Sequence, residues 1–107
     1  MSSITLTKAV QNFVTTTNAH DEEALFAVFA PGATVVDDGT TYATEDAVRE
    51  WIRVHQVEPR IVITPTSFER NRLEASIDGE FPGGPLAFVF AFTTQGDLVS
   101  HLSIESA

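Results

Sequence analysis

A chain of 107 residues, 43% of them apolar, with a net charge of −9 is long enough for one domain around one core, and too apolar for an acidic disordered segment. Fifteen acidic residues against six basic ones argue against nucleic acid and anionic membranes as partners, since both require a basic face. The chain has no cysteine, which removes disulfides, thiolate chemistry and cysteine-based zinc sites.

The same acidic balance disfavours a small anionic substrate unless one of the basic groups enters the site. No basic segment followed by an apolar one opens the chain at Met1–Lys8, and no apolar run approaches a membrane span. The expectation is a soluble, cytoplasmic protein of one domain, residues 1–107.

In chain order, Leu6, Ala9, Val10, Phe13, Val14 and Thr17 recur at three- and four-residue steps and predict an amphipathic helix. Asp21 predicts the N-cap of a second helix, with Glu22 and Glu23 favourably placed against its dipole. Ala24, Leu25, Val28 and Phe29 form the apolar face of that helix, and Pro31-Gly32 are expected to stop it. Ala33–Asp37 reads as a strand and Asp38-Gly39 as a tight turn. Thr44 caps a third helix carrying Val48, Trp51, Ile52 and His55 on one face, closed by Glu58-Pro59.

The second half changes character. Arg60–Phe68, Arg72–Phe81, Leu86–Thr94 and Leu98–Glu105 are strand-like runs separated by turn residues. Pro65 places the first of these at a sheet edge or a bulge. Three helices followed by a four-stranded meander, with one short strand inserted early, is an α+β layout. Along Leu86–Phe92, the residues Leu86, Phe88, Phe90 and Phe92 point one way and Ala87, Val89 and Ala91 the other. The bulky face is expected to pack under the helices. The small, smooth face suits a second sheet, and so a homodimer.

Several segments in this order resemble the nuclear transport factor 2-like superfamily, with its SnoaL-like polyketide cyclases and ketosteroid isomerases. They are Val10–Val14 with Asn18–Asp21, Leu25–Ala30, Ala33–Asp37, Ala47–Trp51, and the closing Phe90–Phe92 with Gly96–Val99. The resemblance implies a cystatin-like cone: three N-terminal helices packed on a curved, mainly antiparallel sheet that encloses a pocket. It also implies a small apolar ligand, no organic cofactor and no metal. The three histidines are too dispersed for a metal site in any case.

Carried over by position, Asp37 falls where the isomerases have their general base. Phe13 falls where they have an oxyanion-hole tyrosine, and Phe88 where they have a protonated aspartic acid. The base is kept and both donors are hydrocarbon. Loss of one such donor costs roughly 10²–10³ in rate, so steroid isomerisation by that route is disfavoured.

The candidate catalytic residues are therefore Asp37 and His55. A carboxyl among aromatic walls favours its neutral form and can accept a proton near neutral pH. His55, one turn beyond Trp51, would be its acid–base partner, or else a half-buried histidine near a helix end. Phe13, Thr17, Val35, Trp51, Phe88 and Phe90 are expected to shape the substrate site, with His101 at the cavity mouth or a dimer surface. Asp38 reads as a turn residue, His20 as exposed, and Arg49 and Arg53 as surface ion-pair partners. Two functions fit. One is cofactor-free proton transfer (an isomerase, cyclase or dehydratase), and the other is a non-catalytic homodimeric ligand-binding or accessory domain.

Overall fold

In the computed structural model, residues 4–107 are described; the stretch read for a leader begins at Met1, Ser2 and Ser3, outside the described residues. The leading helix, α1 (Lys8–Asn18), buries the stripe expected of it: Ala9, Val10, Phe13, Val14 and Thr17. Asp21 caps α2 (Glu22–Phe26), its side chain accepting a bond from the Ala24 amide at 3.0 Å.

α2 ends before Val28 and Phe29, and not at Pro31-Gly32 as expected. Val28 and Phe29 are buried, but as the entry to a strand, β1 (Phe29–Asp37). The Val28 carbonyl accepts from the Val99 amide at 2.9 Å, so the backbone bonds that would have extended the helix are used by the sheet. Pro31 and Gly32 then form a bulge. β1 advances from Phe29 to Thr34 while its partner advances only from Val99 to His101, and Gly32 takes a φ of +76°.

Asp38 (φ +50°) and Gly39 (φ +85°) make the tight turn into β2 (Thr40–Tyr42), a strand too short to show in the residue pattern. The third helix, α3 (Glu45–Trp51), is capped by Thr44 and continues as a π-helical segment, Ile52–Val57. The meander follows as β3 (Val62–Glu69), β4 (Arg72–Asp78), β5 (Leu86–Gln95) and β6 (Leu98–Ser106). β4 stops at Asp78 rather than Phe81, because the Asp78 carboxylate turns back to accept from the Gly79 amide at 2.8 Å.

The fold is α+β, with one six-stranded sheet ordered β2-β1-β6-β5-β4-β3. Every pairing is antiparallel except β1 with β6. β3 is an edge strand and slips register just after Pro65, so both readings of that proline hold.

The core lies between the helices and one sheet face. Phe13 stands at its centre, 5.3 Å from the Phe92 ring, 6.0 Å from Phe90 and 6.3 Å from Phe29. Phe90 and Phe92 are buried beneath the helices, as the alternation of β5 predicted, but Phe88 is half-buried and Leu86 is exposed, because that end of the strand runs past the helices to the open cavity. On β6 the parity breaks. Ser100 is bulged out of register with β5, so fully buried Val99 turns to the core instead of sharing a face with His101.

The edge of β3 is covered by polar groups at the end of α1. Asn18 donates from Nδ2 to the Ile63 carbonyl at 3.0 Å and accepts the Ile63 amide on Oδ1 at 2.7 Å, as a neighbouring strand would. His20 is half-buried rather than exposed, its Nε2 3.0 Å from the Ile61 carbonyl. Asn18→Ala removes both bonds to Ile63, and urea unfolding should show a loss of about 2 kcal/mol. A change within about 0.5 kcal/mol would mean that water replaces the amide.

Candidate active site

The site is built where β1 runs out. Alternation sends Val35 and Asp37 to the helix side of the sheet: Val35 is fully buried and Asp37 half-buried, opposite Ile104 of β6. Trp51, at the end of α3, is fully buried, and a buried indole N–H requires an acceptor. It finds one in Asp37, with Nε1 donating to Oδ2 at 2.9 Å. The residue expected to be a hydrocarbon wall is thus the group that orients the carboxylate.

Beyond Trp51 the helix widens. The Glu58 amide bonds to the Arg53 carbonyl at 2.9 Å, a spacing of five residues. This segment presents the successive residues Val54, His55 and Gln56 to a cavity of about 310 Å³. The opposite walls are Ile77, Leu86, Phe88, Phe90 and Ile104 from the sheet, with Pro59, Ile61 and Phe81 at the loops. Polar character comes from Asp37, His55 and Gln56 alone among the described lining residues, so no lysine or arginine offsets the acid.

Asp37, His55, Phe88 and Phe90 therefore meet around one cavity. The other anticipated wall residues do not join them. Phe13, Val35 and Trp51 are 0% exposed and Thr17 1% exposed, all packed in the core. His101 lies on the other face of the sheet, its Nδ1 2.6 Å from the Thr34 hydroxyl, because it pairs with Thr34 and not with Val35. Asp38 occupies the turn, and Arg49 pairs with Glu23 at 3.0 Å while stacking over Phe26.

His55 bonds to Tyr42 rather than to Asp37. Its Nε2 is 3.3 Å from the Tyr42 hydroxyl, and the two rings are 6.1 Å apart. Tyr42 reaches this place from β2, on the same sheet face as Asp37, since it pairs with Val35. Partial burial holds its phenol above the ordinary value of 10.0, and the negative charges of Asp37 and Glu50 add to the effect.

Gln56 and Tyr42 were missed from sequence. Gln56 follows Val48 and Ile52 at four-residue steps, and a carboxamide in line with a buried helical stripe is a visible signal. Tyr42 gave none, because β2 itself is hidden.

No family profile and no curated protein sequence matches the chain. Solved structures do. A putative polyketide cyclase from Sinorhizobium meliloti superposes with a TM-score of 0.82 at 25% identity, covering 94% of this chain and 95% of that one. The resemblance read from the residues holds: the chain has the nuclear transport factor 2-like fold. A ketosteroid isomerase-like protein from Catenulispora acidiphila, crystallised with trimethylamine, gives a TM-score of 0.79 at 18% identity over 96% of this chain and 88% of its own. A nuclear transport factor 2-like protein of unknown function from Cytophaga hutchinsonii gives 0.73 at 12% identity, covering 99% and 93%. At these identities the last two speak for the fold alone.

Within this nuclear transport factor 2-like chain, Tyr42 is the single tyrosine, so its ionisation can be followed by tyrosinate absorbance. The midpoint should lie above 10.0, and Asp37→Asn should lower it by removing one of the charges that raise it. Its folded-state value is the higher one, so its contribution to stability is present below pH 10 and lost as pH rises through the folded value. Tyr42→Phe should therefore flatten the alkaline fall in stability. A midpoint unmoved by Asp37→Asn would separate the two side chains.

Proposed function

We propose that this chain is a single SnoaL-like domain whose helices and sheet form a cone around a ligand cavity, and that it binds a small, largely apolar molecule there. In this reading Asp37 moves a proton, as in an isomerase, cyclase or dehydratase, without a cofactor. The observation that carries it is the Asp37 carboxylate at the wall of an apolar cavity with Oδ2 held by the Trp51 indole. A fixed acceptor needs no reorganisation when a C–H bond is presented to it. The fold shared with a putative polyketide cyclase supports this class of chemistry. The volume lies at the low end of the roughly 300–1,000 Å³ typical of ligand sites, which favours one or two fused rings over a steroid.

His55 takes part from the same wall, with Tyr42 behind it as its hydrogen-bond partner. The second reading is a non-catalytic binding or accessory domain. It is favoured by hydrocarbon at both positions, Phe13 and Phe88, where the resembling isomerases have oxyanion donors.

Exchange of the α-protons of 2-tetralone for deuterium distinguishes the two. A carboxylate base takes the proton from carbon, the C–H electron pair passes to the enolate, and deuterium returns from solvent. The catalytic reading expects exchange above the buffer rate, falling by roughly 10²-fold or more in Asp37→Asn. Binding of the ketone with no exchange supports the accessory domain.

The homodimer is proposed through the outer sheet face, where Val36, Ser103 and Ala91 lie side by side and Val89 lies between Glu74 and Glu105. Sedimentation should then give twice the 11.6 kDa chain mass, and Ala91→Glu should give the monomer. A monomer for both proteins would remove the dimer and leave the cavity reading intact.

A further inference from the structure

Gln56 lies 6% exposed on the π-helical segment, its side chain lining the cavity beside His55. Its backbone carbonyl is engaged, accepting the Ile61 amide at 3.0 Å. Its side-chain Nε2 is buried and, among the described residues, has no hydrogen-bond partner. A carboxamide in that state costs the free protein stability, because a buried donor has given up water for nothing. It lies in line with Val48 and Ile52, where leucine or methionine would pack without that cost. The π-helical turn that carries it is of a kind found often at functional sites.

We infer that the Gln56 carboxamide is the ligand-reading donor of the cavity, and that the ligand is a neutral, mostly apolar molecule bearing a carbonyl oxygen that accepts from it. The other polar groups of the wall leave this role open. A carboxylate at Asp37 can only accept, and the Nε2 of His55 is already engaged with Tyr42. With Asp37 present and no basic side chain among the described lining residues, a carboxylate or phosphate ligand would meet uncompensated repulsion. Rotation of the amide about its last torsion turns its NH₂ end toward a bound oxygen without moving the backbone. The inference rests on the ligand-binding half of the proposed function and not on proton transfer by Asp37.

The test compares 2-tetralone with tetralin, the hydrocarbon of nearly the same shape, by NMR titration of the Ile61, Ile77 and Ile104 methyl groups that line the cavity. Wild-type protein should bind the ketone about tenfold more tightly than tetralin, the worth of one hydrogen bond. Gln56→Met should abolish that preference while keeping tetralin affinity. It should also raise Tm by about 4–8 °C, because it removes an unpaired buried donor. Equal affinities in wild type, or a preference that survives Gln56→Met, overturn the assignment of Gln56 and leave the cavity reading standing. A Tm that is unchanged or lowered overturns the premise that the amide is unpaired in the free protein. Failure of both compounds to shift these methyl groups overturns the cavity reading and this inference together.

Discussion

The bond between Trp51 and Asp37 is the constraint on which the site depends. A fully buried indole must satisfy its N–H, and a carboxylate at the end of a buried strand must recover the hydrogen bonds it gave up to leave water. Each meets the other's need, and a hydrogen bond to a charged group is worth roughly 1.5–3 kcal/mol. The bond also joins α3 to β1, the two elements between which the chain turns through Asp38-Gly39 and β2. With Oδ2 engaged, the orientation of the carboxyl is set by the fold. The other oxygen, Oδ1, has no protein donor among the described residues.

Much of this architecture was legible in the residues, for reasons that also explain where it was not. The α1 stripe and the β5 alternation are long enough for a periodicity to declare itself, and their buried faces follow from it. Val28 and Phe29 were ambiguous because two apolar residues after a short helix fit its next turn as well as the start of a strand. Only the pairing of Phe29 with Val99, seventy positions away, decides between them. Bulges defeat alternation in a different way. One extra residue at Ser100 reverses the face of everything before it, and nothing local marks the reversal. Strict alternation would put Val99 on the face of His101, and the bulge puts it on the face of Leu102 instead.

The site was legible in its acid and obscure in its walls. Asp37 could be singled out because a carboxylate at the end of a β-branched strand is uncommon and the resemblance gave the position a role. Phe13, Thr17 and Val35 share their stripes with true core residues, and pattern carries no depth. Whether such a position lines a hollow or fills it depends on how much aromatic volume arrives from elsewhere in the chain. Here Phe29, Phe90 and Phe92 close around Phe13 and leave no space beside it.

That filling has a chemical consequence. The resemblance to the isomerases puts the position of an oxyanion donor at Phe13. Here a hydroxyl on that ring would enter a packed aromatic cluster, where an unpaired polar group costs about 1–3 kcal/mol. A single substitution to tyrosine would therefore not restore the donor. It would place the hydroxyl in the core, away from the cavity. The open space begins instead at the Asp37 end of the sheet and extends toward Phe81 and Leu86, under the π-helical segment. Any stabilisation of charge on a bound molecule must then come from residues 54–56 and the loops after them, and not from α1. The aromatic plug that fills the core beside α1 leaves the open cavity at a different wall.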